Sequence, residues 1–150
     1  MTISLKFKKL HPDAILPQYQ TPGAAGMDLC SVEDAELKMG EVRLVATGLA
    51  VEIPEGFELQ IRARSGLAAK AGVFLVNGVG TIDCDYRGEM KVILSTCQSA
   101  PVPIKKGDRI AQAVLCRVVK ADCLEVESLS STERASGGFG STGVQSSTGL

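Results

Sequence analysis

Apolar and polar residues alternate with a period of two through much of this chain. Ile3, Leu5 and Phe7 interleave with Ser4, Lys6 and Lys8, and Phe57, Leu59, Ile61 and Ala63 interleave with Glu58, Gln60, Arg62 and Arg64. Successive side chains on a strand point to opposite faces, so both stretches predict half-buried strands, and the second puts Arg64 on the solvent or ligand side. Further strands are predicted at Met27-Asp28-Leu29, Val42 to Ala46, Leu49 to Ile53, Met90 to Thr96 and Ile110 to Val119, with a short last one at Leu124 to Val126. Pro and Gly turns, such as Pro54-Glu55-Gly56 and Lys105-Lys106-Gly107-Asp108, separate them. One stretch, Ser65 to Gly72, predicts a helix of about two turns, with Ser65 as its N-cap and Gly72 as its stop. Turns about every 8–12 residues with almost no helix predict an all-β subunit: a sandwich, jelly roll or small barrel.

Composition sharpens the outline. At 150 residues the chain suits one principal domain with a sizeable core, built from Val, Leu, Ile and Ala because only 4% of residues are aromatic. From Ser128 onward Gly, Ser and Thr take over, which predicts a core over residues 1–127 and a flexible arm over 128–150. A net charge of −1 gives no reason to expect nucleic acid or a membrane as partner. No apolar run nears the roughly 20 residues that cross a bilayer, and the N-terminal alternation is strand patterning rather than a signal peptide. Five scattered cysteines without a CxxC pair suit a reducing compartment such as the cytoplasm. His11 is the sole histidine, so zinc-ligand spacings are absent and His-dependent nucleophilic catalysis has one unpromising candidate.

The densest chemistry lies in Asn77-Gly78-Val79-Gly80-Thr81-Ile82-Asp83-Cys84-Asp85-Tyr86-Arg87-Gly88-Glu89. Between Gly78 and Gly88 stand two carboxylates and an aromatic ring, with the only asparagine just before them, and the stretch reads as a β-hairpin with a polar tip. It can hold a flat ligand, with Tyr86 as a stacking face and Asp83 free for proton chemistry; an ordinary surface hairpin with Asp turn formers reads equally well. In the arm, Gly138, Gly140 and Gly143 match GxGxxG by letter, but no strand precedes them and no helix or acidic residue follows at the right distance. Val144 stands where a P-loop needs Lys. What remains is either an arm that wraps an anion with backbone N–H groups and Arg134 while Phe139 covers an aromatic ligand, or an inert terminus.

Five segments taken together resemble the trimeric all-β dUTPases. They are Ala25 to Leu29, Ala63 to Ala68, Asn77 to Glu89, Lys106 to Gln112 and Arg134 to Gly143, in that family's order; Met27 sits where the family often has an aromatic. The resemblance implies a homotrimer of distorted jelly-roll, β-barrel-like subunits with one short helix. It also implies sites shared between subunits and the reaction dUTP + H2O → dUMP + pyrophosphate with Mg2+. On that resemblance Asp83 orients or accepts the proton of the attacking water. Arg64, Ser65, Gly66 and Gln112 meet phosphate, Asp28 reaches Mg2+ through water, and Gly80, Thr81, Ile82 and Lys91, with Asn77, read uracil. Tyr86 lies under the sugar, and Arg134, Phe139, Gly140, Ser141 and Thr142 close over the nucleotide. Two rivals remain: a dCTP deaminase on the same scaffold, and a binding module without catalysis.

Overall fold

A computed structural model describes residues 3–141. The chain divides into two units, Met1–Val119 and Lys120–Leu150, the division falling upstream of the change in composition at Ser128. The described strands all lie in the first unit. They are β1 (Lys6–Lys9), β2 (Gln18–Tyr19), β3 (Met27–Cys30), β4 (Ala35–Leu37), β5 (Arg43–Ala46) and β6 (Leu49–Glu52). After them come β7 (Phe57–Arg62), β8 (Val73–Leu75), β9 (Gly80–Ile82), β10 (Lys91–Thr96), β11 (Val102–Ile104) and β12 (Arg109–Arg117). A single helix, α1 (Ser65–Ala71), separates β7 from β8.

The strands form antiparallel sheets in the orders β1-β6, β5-β10-β8, β11-β4 and β2-β3-β12-β7-β9, and the expected all-β fold with one short helix is what the chain adopts. Their inner faces meet in one apolar core in which Leu29, Leu49, Leu59 and Leu94 are wholly buried. Alternation works as read: Leu59 and Ile61 enter the core while Arg62 faces out. Phe57 is only half-buried, and the Arg117 guanidinium sits 5.3 Å from its ring centre, a cation–π contact on the rim of the core.

Three local expectations are corrected. Arg64, not Ser65, occupies the N-cap position of α1, with extended φ and ψ and no side-chain cap hydrogen bond; Ser65 is the first helical residue. Gly72 does end the helix, at φ 59°, its N–H donating to the Ala68 carbonyl (3.0 Å). Second, Asn77 to Glu89 is not a hairpin. β8 pairs with β10 and β9 with β7, so the turn at Asn77-Gly78, where Gly78 has φ 70°, carries the chain from one sheet to another. Third, Leu124 to Val126 forms no strand; its residues are exposed, and so short a stretch offers no buried face to pair upon.

Candidate active site

β9 is the outer strand of the five-stranded sheet, so one side of its backbone has no strand partner. Gly80 is buried opposite Ile61, and a Cβ there would stand 3.2 Å from the Asn77 amide nitrogen and 3.3 Å from Ile61 Cβ. The chain then leaves the sheet through a turn (Tyr86 N–H to Asp83 O, 3.2 Å) that leaves the Asp83 side chain exposed. Beside this edge lies an open cleft of about 500 Å³, lined by Thr81, Ile82, Asp83, Tyr86, Glu89 and Lys91, with Leu44 and Ile93 as its apolar wall. Tyr86 packs closely on Gly88, where any Cβ would collide with the ring and hydroxyl. Its hydroxyl donates to the Glu89 carbonyl (3.0 Å). The Glu89 carboxylate accepts the Gly48 N–H (3.0 Å) and lies 3.6 Å from Lys91 Nζ, so the cleft floor is tied to the β5–β6 turn.

A second polar cluster stands where β3, β12 and the end of β7 meet. Asp28, its side chain only 12% exposed, has Arg64 Nε 3.1 Å from one carboxylate oxygen and Arg109 Nη1 3.0 Å from the other. Arg64 Nη1 also donates to the Arg109 carbonyl (2.9 Å). Gln112, opposite Asp28 in register, donates its amide to the Ala63 carbonyl (2.9 Å) and packs its amide oxygen over Gly26. Ser65 and Gly66 follow, both exposed, at a helix start with no capping side chain and no acidic residue in its first turn. Those first-turn N–H groups are thus open to an outside acceptor. Gly66 has open space where a Cβ would stand and no left-handed backbone, so nothing in its own chain demands glycine.

The cleft and this cluster are far apart within one chain. β9 runs antiparallel to β7 with Ile82 opposite Leu59 and Gly80 opposite Ile61, so Asp83 lies toward the start of β7 and Arg64 beyond its end. At about 3.3 Å per residue the two Cα atoms are roughly 20 Å apart along the strand. Thr81, Ile82, Asp83, Tyr86 and Lys91 are therefore brought together, with Asn77 and Gly80 beside them; Asp28, Arg64, Ser65, Gly66 and Gln112 are brought together elsewhere.

In the second unit, Arg134 Nε donates to the Gly137 carbonyl (2.8 Å) and the Gly137 N–H to the Arg134 carbonyl (2.9 Å). The Ser141 N–H donates to the Gly138 carbonyl (3.0 Å). Ala135 and Phe139 both hold positive φ, uncommon for residues with a side chain, as does Gly140, and the Phe139 ring is fully exposed. Thr142 lies outside the described residues. The sequence reading passed over Leu44, Glu89, Ile93 and Arg109. Of these, Glu89 ends the glycine-punctuated stretch and Arg109 lies in the Lys106 to Gln112 segment, so both carried a sequence signal, though neither was given a role.

No group of three His, Cys, Asp or Glu side chains among the described residues is placed to hold a metal ion. All five cysteines are free thiols, and burial pushes the Cys30 thiol above its ordinary pKa, which keeps it protonated and inert beside the Asp28 cluster. No described helix is long and apolar enough to cross a membrane.

The family model described as dUTPase matches residues 12–143. The chain is 57% identical over 141 residues to the deoxyuridine 5'-triphosphate nucleotidohydrolase of Nautilia profundicola, covering 94% of this chain and 99% of the relative. With the enzyme of the same name from Helicobacter pylori strain P12 it shares 47% identity over 142 residues, 95% of this chain and 98% of the relative. Among solved structures, the Staphylococcus bacteriophage 80alpha dUTPase with dUpNHpp superposes with a TM-score of 0.82 at 27% identity, over 95% of this chain and 100% of that one. A likeness that runs along nearly the whole sequence, and through the whole fold, leaves one conclusion: the chain belongs to the dUTPase family.

Proposed function

We propose that this protein hydrolyses dUTP to dUMP and pyrophosphate, as a homotrimer whose sites join segments of neighbouring copies. The observation that carries the reading is the cleft beside β9, where an unpartnered strand edge, an exposed carboxylate and a tyrosine face share about 500 Å³. The backbone of Gly80, Thr81 and Ile82, with the start of β10 at Lys91 and the Asn77 amide, suits uracil's O2, N3–H and O4. Cytosine exchanges donor for acceptor at two of these positions and leaves buried groups unpaired, which discriminates strongly. Tyr86, packed on Gly88, lies under deoxyribose and leaves little room for a 2′-hydroxyl.

Asp83 orients a water and takes its proton as the oxygen attacks the α-phosphorus, in line with departing pyrophosphate. Arg64, the Ser65 hydroxyl and the uncapped N–H groups at Ser65 and Gly66 neutralise and align the phosphates, with Gln112 beside them. Arg134 and the glycine-rich segment with Phe139, Gly140, Ser141 and Thr142 close over the nucleotide. The strained φ of Phe139 and its exposed ring support a segment that completes its packing on a ligand. Mg2+ carried in with the triphosphate would supply further charge neutralisation, and Asp28 is the side chain that would meet it through water. The chain's donors fit that role: each Asp28 oxygen spends one contact on a guanidinium and keeps lone pairs for a metal-bound water.

Two observations support a trimer with shared sites. Asp83 and Arg64 cannot reach one phosphate within a single chain, being separated by the length of β7. The outward face of the β5-β10-β8 sheet exposes Val42, Leu44, Phe74 and Val76, continuous with the apolar wall of the cleft, the kind of patch that a second copy covers. The free thiols, together with a nucleotide substrate, support a reducing intracellular compartment such as the cytoplasm.

The deciding experiment supplies purified protein with dUTP and Mg2+ and measures pyrophosphate. Stoichiometric dUMP and pyrophosphate are expected. Ammonia release from dCTP instead would identify a deaminase, and nucleotide binding without turnover a binding module.

A further inference from the structure

Arg109 belongs to none of the roles above, yet it closes a ring of three contacts. Its Nη1 sits on one Asp28 oxygen (3.0 Å), Arg64 Nε sits on the other (3.1 Å), and Arg64 Nη1 donates to the Arg109 carbonyl (2.9 Å). We propose that Arg109 is a positioning residue for the phosphate-binding end of the site: it anchors the Asp28 carboxylate, which in turn fixes the guanidinium of Arg64. The inference rests on the reading of Arg64 as a phosphate contact.

The backbone is arranged to produce this ring. Arg109 and Gln112 are an odd number of positions apart, so on a regular strand they would point to opposite faces. The register of β12 on β3 slips between Arg109, opposite Cys30, and Ala111, opposite Leu29. The extra residue, Ile110, is buried next to the equally buried Ala111, which breaks the alternation and returns Arg109 to the face that carries Asp28 and Gln112. Without that bulge the guanidinium would point into the core.

The ring also sets charge and direction. Two guanidiniums on one carboxylate leave a surplus positive charge beside the open helix start, where a triphosphate would need it. Arg64 donates one N–H inward, to the Arg109 carbonyl, and holds Nε against Asp28 as an ion pair, which leaves its Nη2 edge for phosphate recognition. Deleting the Arg109 side chain frees one Asp28 oxygen and lets the carboxylate turn, which loosens the Arg64 Nε contact on the other oxygen. The carbonyl contact stays, so the loss is partial. Arg109 itself is half-exposed, which makes it dispensable for the core.

The test is a double-mutant cycle on the full-length protein with R109A, R64A and the double variant, reading kcat/KM for dUTP and the affinities for dUpNHpp and deoxyuridine. R109A is expected to lower kcat/KM and dUpNHpp affinity by about tenfold, to leave deoxyuridine affinity unchanged, and to add nothing in the R64A background. If R109A is silent or lowers both affinities alike, Arg109 is no more than a surface ion pair, and if its loss persists in the R64A background it acts independently of Arg64 and the positioning role falls. R64A with wild-type kcat/KM shows a different pattern: it removes the phosphate reading of Arg64, and this inference goes with it.

Discussion

Asp83 is the residue on which the proposed chemistry turns, and its position at the mouth of the β9 cleft separates binding from catalysis. Asp83→Asn keeps size and shape while removing the proton acceptor. Turnover should fall by about 10²–10⁴, with dUpNHpp affinity changed only a few-fold; calorimetry beside a pyrophosphate assay checks both, and a mutant that keeps wild-type kcat refutes the base assignment. Gly66 gives a subtler test, because it breaks a helix rule with no reason inside its own chain. Gly66→Ala should stabilise α1 by about 0.5–1 kcal/mol, visible as a Tm higher by about 2–4 °C. It should also lower kcat/KM by about tenfold or more, by putting a methyl where phosphate approaches; a variant that gains stability at no catalytic cost removes Gly66 from the site. At this scale Asp83 and Tyr86, in a glycine-punctuated run, and Arg64, on the outer side of an alternating strand, were legible as candidates, and the roles proposed for them rest on the family resemblance. Arg109 was not, since its orientation depends on a bulge and no local pattern announces that Ile110 breaks the count.

Elements depend on who their partners are, and here the sequence was a partial guide. β7 could be read from alternation alone, whereas the Asn77–Glu89 stretch looks like a hairpin because its glycines and β-formers carry no information about β7 as the real partner of β9. β2, β4 and β11 are too short for periodicity to register, and β11 contains Pro103. The turn between β11 and β12 shows how such short pieces are held. The Lys106 N–H and Lys105 Nζ both reach Asp34 (2.9 and 3.5 Å), and Lys106 Nζ reaches Asp13 (2.8 Å). The Lys106 backbone N–H, and then the Lys105 charge, hold the Asp34 carboxyl below its ordinary pKa of 3.8; hydrogen bonding to Lys106 does the same for Asp13. A carboxyl depressed on folding stabilises the protein above its unfolded pKa, and that contribution fades as pH falls through the lower folded value. Asp34→Ala should therefore lower Tm at neutral pH by an amount that shrinks as pH falls below the ordinary value of 3.8, and a Tm deficit independent of pH across that range would show the contact to be electrostatically idle. The arm is tested as an element by ending the chain after Ser131: the core should melt at an unchanged temperature while kcat/KM falls by about 10² or more, and full activity in the truncated protein would make the segment inert.

The whole molecule raises a question that no single chain answers, because the halves of the proposed site sit at opposite ends of β7. Strands such as Val73-Phe74-Leu75-Val76 and Val92-Ile93-Leu94 are apolar on both faces, a pattern of strands covered on both sides, although one of those faces is bare in the isolated subunit. If a neighbouring copy covers it, Asp83 of one chain works with Arg64 of another, and two inactive variants can restore each other. D83N and R64A should each be nearly inactive alone. Unfolded together in equal amounts and refolded, they assemble at random, so a shared site draws an intact Asp83 half the time and an intact Arg64 from the neighbour half the time, and about a quarter of the sites regain both. A site built within one chain always carries one lesion or the other, so mixing then recovers nothing. Pyrophosphate release from the mixture, set against each variant refolded alone and against the mass measured by light scattering, distinguishes the two, and a trimer of normal mass with no recovered turnover would place the site within one subunit.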